Sequence, residues 1–228
     1  MNSITDIKVA FVDLDGTLIK GQSQALFIKF LKNKKIISNL QSFLILSWFF
    51  LYKIRLAKKT EKILSYSLSC FKNRAVKDVY HYVDEFIESV IKPNYYKDVG
   101  LFLDDIRSRN IKLVMLSTSV DILVDKISES LRIESSLSTK VEISNGIFTG
   151  RIIGEQNYGG KKLSRILEYI KRDNIELKNI LVVADNYSDK EILIQAGIGI
   201  VANPNKNMRN WALQNKLHMI YLDRYEPI

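Results

Sequence analysis

The chain has 228 residues, 46% of them hydrophobic, and a formal net charge of +9. That is enough to bury a sizeable core, as one large domain or one domain with an insertion; the single cysteine, Cys70, excludes an internal disulfide and fits a reducing compartment. The basic excess points either to anionic partners (phosphorylated metabolites, nucleic acid or a membrane surface) or to nothing more than a Lys-rich solvated surface.

The N-terminal "MNSITDIKVAFV" has no basic n-region followed by a long apolar run. No signal peptide is expected, and the protein is read as cytoplasmic. Residues 7–14 form a short, apolar, β-branched run that predicts a fully buried strand. It leads into "VAFVDLDGTLI", residues 9–19, where Asp13 and Asp15 stand at the strand's mouth. Residues i and i+2 of an extended segment point the same way, so the two aspartates can share one site. Gly16 permits a turn or a close approach there.

From Ser23 to about Lys92 the spacing turns helical. "ALFIKFLKNKK", "SFLILSWFFLYKIRLAKK", "EKILSYSLSCF" and "AVKDVYHYVDEFIESVIK" carry helical apolar patterns. In the last, Val79, Val83, Phe86, Ile87 and Val90 share a face. The run "FLILSWFFLY", residues 43–52, is the most apolar stretch; a bilayer-spanning helix needs roughly twenty residues, so a span is not expected. Lys34, Lys35, Lys53, Arg55, Lys58 and Lys59 flank it. Two readings stay open: packing within the helical insertion or a dimer contact, or peripheral contact of residues 43–52 with an anionic membrane.

After Pro93 an amphipathic helix places Val99, Phe102, Leu103 and Ile106 on one face. Then come a strand at 111–116, a helix over "SVDILVDKISESL", and two alternating runs joined by Asn145-Gly146, a hairpin signal. The rest alternates: helix "KKLSRILEYIKR", strand "NILVVA", helix "SDKEILIQA", strand "IGIVA", helix "KNMRNWALQNK", strand "HMIYL". This pattern predicts an α/β fold: a Rossmann-like, doubly wound parallel sheet with a helical insertion after the first strand.

Ligands of such sheets bind beyond the carboxyl ends of the strands. Asp13 and Asp15 fall there. So do Ser117, Thr118 and Ser119 of "LVMLSTS", Asp185 and Asp189 of "VVADNYSD", and Lys161 and Lys162 of "YGGKK". Four clustered carboxylates without a cation would raise one another's pKa values. A bound Mg²⁺, held by a few carboxylates, water and substrate phosphate, resolves this. A lysine ammonium and a serine hydroxyl suit phosphoryl oxygens, and the chemistry that follows is phosphoryl transfer through an aspartyl-phosphate.

In order, "DLDGTL", "LVMLSTS", "GGKKL" and "VVADNYSD" resemble the four motifs of the haloacid dehalogenase (HAD) superfamily, with phosphoserine phosphatase as the nearest subgroup. "ISNGIFTGRI", "QAGIGIVANP" and "MRNWALQNKLHMI" are similar to that subgroup too. The resemblance implies a catalytic core of residues 1–20 and 93–228 and a C1-type helical cap of residues 21–92. It implies Asp13 as nucleophile and metal ligand. Asp15 is the implied general acid/base, with its backbone carbonyl on the metal. Ser117 would hold a phosphoryl oxygen and Lys162 would neutralise phosphoryl group and nucleophile, Lys161 being the alternative. Asp185 would bind Mg²⁺, and Asp189 would bind it directly or through water. The fourth motif departs from the usual Gly-Asp-Ser-x-x-Asp: Ala184 replaces Gly and Asn186 replaces Ser.

The expected function is therefore a Mg²⁺-dependent phosphomonoester hydrolase acting on a small phosphorylated metabolite. The alternatives are a phosphatase of a lipid-linked phosphate at the membrane surface, a phosphotransferase or mutase, and an inactive binding relative. A dehalogenase has no use for Asp15 or a metal site. No aromatic-interleaved basic motif appears, so no nucleic-acid partner is expected. Ser119 is read as a helix N-cap and Thr118 as packing. His81, His218, Cys70, Trp48 and Trp211 are read as surface or packing residues. Oligomeric state is not legible.

Overall fold

In a computed structural model, which describes residues 4–53 and 60–227, the chain builds a six-stranded, wholly parallel sheet. The first strand, β1 (Val9–Asp13), is buried at every residue. Four helices follow before the chain returns to the sheet: α1 (Ser23–Asn33), α2 (Asn39–Lys53), α3 (Thr60–Leu68) and α4 (Val76–Phe86). The part of the expected second helix beyond Lys53, with Arg55, Lys58 and Lys59, lies outside the described residues. The fourth expected helix is continuous only to Phe86. It loosens into a π-turn over Ile87–Ile91 and a 3-10 turn over Lys92–Asn94, where Pro93 removes a backbone donor.

Next come α5 (Val99–Ser108), β2 (Lys112–Val120), α6 (Asp121–Ser130) and β3 (Ser135–Thr139). A hairpin of β4 (Val141–Ser144) and β5 (Ile147–Ile152) interrupts the alternation, and its Asn145 and Gly146 both have positive φ, as a tight two-residue turn requires. The chain closes with α7 (Gly160–Arg172), β6 (Ile180–Ala184), α8 (Lys190–Gln195), β7 (Ile198–Ala202), α9 (Lys206–Gln214) and β8 (His218–Ile220). The strand order is β3-β2-β1-β6-β7-β8. β1 therefore sits centrally between β2 and β6, and the three strands bring Asp13, Ser117 and Asp185 to one edge of the sheet.

Alternation along β1 divides the core. Ala10 and Val12 join the larger cluster, with α5, α6 and the inserted helices. Val9 and Phe11 join the smaller one, under α7, α8 and α9. A sheet buried on both faces needs apolar residues at both parities, which is why its strands read as continuous apolar runs. Two features differ from the sequence expectation. β3, "SSLST", is an edge strand of polar composition with no periodic signal. The β4–β5 hairpin packs against the inserted helices: Ala75 bridges Ile147, and Gly150 lies beside Leu68, Ser69 and Lys72.

Candidate active site

Asp13 ends β1 as a 5% exposed carboxylate. Its Oδ1 accepts a hydrogen bond from Lys162 Nζ at 2.7 Å, and its Oδ2 lies 3.5 Å from the Thr17 hydroxyl. Burial pushes the Asp13 carboxyl up to about 7, against the pull of Lys162 and with the push of Asp189. Asp15 turns to the start of α1. Its Oδ1 accepts from Ser23 N at 2.6 Å and its Oδ2 from the Ser23 hydroxyl at 3.1 Å. Burial raises Asp15 to about 6, the Ser23 bonds restraining the rise.

Lys162, in the first turn of α7, is 3% exposed. Its ammonium also reaches Asp189 Oδ2, at 3.1 Å. Burial disfavours its charge, but Asp13 and Asp189 outweigh that and hold it above the ordinary lysine value. Lys161, one residue earlier, is exposed and pairs with Glu155. The positive φ of Gly159, the N-cap residue, sets the chain's entry into the helix. Thus the two neighbouring lysines of "YGGKK" point to different environments.

Asp185 follows β6, and Asp189 lies in the 3-10 turn Tyr187–Asp189. Burial, then the negative charges of Asp13 and Asp189, push Asp185 up to about 8. Asp185 Oδ1 and Asp189 Oδ1 are buried acceptors without a hydrogen-bond partner. Such atoms are costly unless something satisfies them. Ala184 is buried at the end of β6. Asn186, the other departure in this motif, accepts from Ser188 N at 3.0 Å and caps the turn that presents Asp189.

Ser117 lies 1% exposed within β2, which runs on through Val120 rather than ending at Leu116. Its Oγ accepts from Ser119 N at 3.1 Å, leaving its hydroxyl hydrogen free for another acceptor. Ser119 does not cap α6: that position is Val120. Its hydroxyl instead meets that of Ser23 at 3.1 Å, tying β2 to the serine that holds Asp15. Thr118 O accepts from Gln24 and from Thr139.

Three supporting residues are not singled out by the sequence. Ser23 fixes both oxygens of Asp15. Asn157, fully buried, donates through Nδ2 to Ser117 O and Leu137 O. Asn203 donates through Nδ2 to Gly16 O and Thr17 O, and accepts from Leu222 N. All three are common polar residues in loops or at helix starts. The only available signal is closeness to "DLDGT" and "YGGKK", or the flanking of Asn203 by "IVA" and Pro204. The remaining polar and aromatic candidates lie elsewhere: His81 and His218 are exposed, Trp48 and Trp211 pack against the two core clusters, and burial pushes the Cys70 thiol up to about 12.

Among the described residues no three His, Cys, Asp or Glu side chains converge at metal-ligating spacing. The Asp15 carboxylate is turned to Ser23, and Lys162 bonds both Asp13 and Asp189. The donor chemistry nevertheless fits a hard cation. The available atoms are carboxylate oxygens, two of them buried and unpartnered, and Mg²⁺ takes oxygen ligands from one or two carboxylates while keeping waters and substrate oxygens.

Residues 10–193 match the model of the haloacid dehalogenase-like hydrolases. The chain belongs to that family. A phosphoserine phosphatase of Archaeoglobus fulgidus is 25% identical over 107 residues, covering 47% of this chain and 31% of that protein. The matched segments span only 29–31% of the length of the first curated relatives. Among solved structures, a Bordetella pertussis protein described as of unknown function superposes with a TM-score of 0.83 at 18% identity, covering 95% of this chain and 99% of that one. A phosphoserine phosphatase solved as a phospho-aspartyl intermediate analogue gives 0.67 at 16% identity, covering 96% and 95%. At these identities the structural likeness establishes the HAD fold, which is the α/β architecture expected from the sequence.

Proposed function

We propose that this HAD-family chain is a Mg²⁺-dependent phosphatase that hydrolyses a small phosphomonoester through a phosphoryl group carried on Asp13. The observation that carries the reading is the Asp13–Lys162 pair. A buried carboxylate would otherwise take up a proton; the ammonium at 2.7 Å favours the anion that a nucleophile must be.

Asp13 Oδ attacks phosphorus as the ester P–O bond breaks. The carboxyl of Asp15 gives its proton to the departing oxygen. Its elevation to about 6 suits a group that must be proton donor and then base near neutral pH. In the second half, Asp15 takes a proton from water, the water oxygen attacks phosphorus, and Asp13 and inorganic phosphate are released. The Ser117 hydroxyl hydrogen would bond a phosphoryl oxygen, and the Lys162 ammonium would offset its charge. Asp13, Asp185, the Asp15 carbonyl and Asp189, directly or through water, would hold Mg²⁺, which when bound supplies positive charge for the transferring phosphoryl group.

In this reading residues 21–92 form the C1-type cap over a core of residues 1–20 and 93–228, with the β4–β5 hairpin leaning on the cap. The relatives named phosphoserine phosphatases make phosphoserine the first substrate to try. A second reading, a hydrophobic or lipid-linked phosphate, draws on the apolar side chains exposed on α2, Phe43, Leu44, Phe50 and Leu51. The test is hydrolysis of an aryl phosphate, phosphoserine and a long-chain alkyl phosphate, each with Mg²⁺ and with chelator. Metal-dependent phosphate release from any of them supports a phosphatase, and the preferred ester chooses between the readings. Folded, Mg²⁺-binding protein inert on all three would favour a binding relative.

A further inference from the structure

The net positive charge of this protein arises in one part of the chain. Residues 16–60 hold nine of the 34 Lys and Arg residues and none of the 25 Asp and Glu residues. The rest of the chain therefore carries 25 of each sign, and the net +9 belongs to this segment alone. In its described part, Lys20 pairs with Asp223 and Lys34 with Glu85. Lys29, Lys32 and Lys35 are exposed and have no acidic partner among the described residues.

The same segment exposes an apolar helix face. On α2, Leu40, Phe43, Leu44, Phe50 and Leu51 are 69%, 66%, 46%, 62% and 40% exposed. With Ser47 they occupy positions that fall within a stripe about 120° wide at helical spacing. On the opposite side Ser42 and Ile45 are buried, and Trp48 and Phe49 pack on the core. A helix that is apolar all round is normally buried all round. This one is covered on one side only.

We propose that the open face of α2 docks on an anionic lipid surface, with Phe43, Leu44, Phe50 and Leu51 entering the headgroup–acyl boundary and lysines of the same segment meeting lipid phosphates. Charge selects this occupant. A second copy docked face to face would bring together two segments that hold nine positive charges each and no acid, whereas an anionic bilayer complements them. The helix lies on the membrane and does not cross it. α2 has 15 residues, and no helix among the described residues is long and apolar enough for a span. The inference is independent of the reaction proposed above.

The test is co-sedimentation of the full chain with phosphatidylglycerol/phosphatidylcholine vesicles and with phosphatidylcholine alone, at about 0.05 M and about 0.5 M salt. Binding to the anionic vesicles is expected, lost at high salt and absent from neutral ones. The Phe43→Ser/Phe50→Ser and Lys32→Glu/Lys35→Glu variants should each bind at least about tenfold more weakly while keeping the wild-type circular dichroism spectrum. Leu40→Ser, at the most exposed position of the stripe, replaces the phenylalanine pair should that pair misfold. No binding at low salt, equal binding to neutral vesicles, or binding indifferent to these substitutions would overturn the proposal. So would a stable dimer by light scattering that Phe43→Ser/Phe50→Ser dissociates, since that assigns the face to a second copy. Sedimentation does not read catalysis, so a failed phosphatase assay leaves this result intact.

Discussion

A Cβ placed on Gly16 would stand 2.2 Å from Oδ2 of Asp185. Gly16 also has φ +83, a conformation that costs an L-residue about 1–2 kcal/mol. The glycine of "DLDGT" thus lets the loop after β1 close against the carboxylate after β6. Gly16→Ala should lower stability by at least that amount and displace Asp185. We expect kcat/KM for an aryl phosphate to fall at least about tenfold, measured alongside a thermal melt. A variant with wild-type activity would mean that the contact is dispensable.

Asp185 should make metal-free stability depend on pH. Its carboxyl sits near 8 in the folded chain against an ordinary value of 3.8. The folded state therefore binds a proton that the unfolded state releases, and stability rises as pH falls from about 8 toward 4. Asp185→Asn removes the buried charge. In chelator it should be more stable than wild type by about 1–3 kcal/mol near pH 8.5, and the difference should shrink near pH 5. The same variant should lose the rise in Tm that Mg²⁺ gives the wild type. Melts across pH, with chelator and with Mg²⁺, read both effects.

Lys162 and Lys161 should separate cleanly. Lys162→Met leaves Asp13 and Asp189 facing each other, buried and without their cation. Breaking such a pair costs about 3–5 kcal/mol. The loss should be smaller at pH 5 than at pH 8, because Asp13, already raised to about 7, is neutral at the lower pH. Activity should fall by orders of magnitude. Lys161→Met removes only an exposed pair with Glu155, worth about 0–1 kcal/mol, and should leave kcat near wild type. Equal losses in the two variants would contradict the assignment.

The sheet was legible because buried parallel strands announce themselves as short apolar runs, and because β1, β2 and β6 carry polar residues toward or just beyond their carboxyl ends. Asp13, Ser117 and Asp185 could be read from that rule together with the motif resemblance. Lys162 could be preferred over Lys161 through the resemblance, whose spacing expects Gly159 three residues before the lysine and Leu163, Ile166 and Leu167 after it. The edge strand Ser135–Thr139 could not be read, since an edge position does not require apolar residues on both faces. Asn157 and Asn203 act through bonds to residues distant in sequence, Asn203 to Gly16 across 187 positions, and a single sequence carries no trace of such pairs; Ser23 bonds Asp15 only eight positions back, but across a turn that has no periodic signal. The apolar run 43–52 was visible, but which of its faces is open depends on how α2 packs against the core.

The central claim is that Asp13 carries the phosphoryl group. The direct measurement is acid-quenched mass spectrometry of the protein turning over an aryl phosphate with Mg²⁺, followed by mapping of the labelled peptide. We predict the added mass of one phosphoryl group on the peptide containing Asp13, absent without Mg²⁺ and absent in Asp13→Asn, which should be folded and inactive. A phosphoryl group on Ser117 or any other side chain, or an Asp13→Asn variant that turns over at more than a few per cent of the wild-type rate, would contradict it.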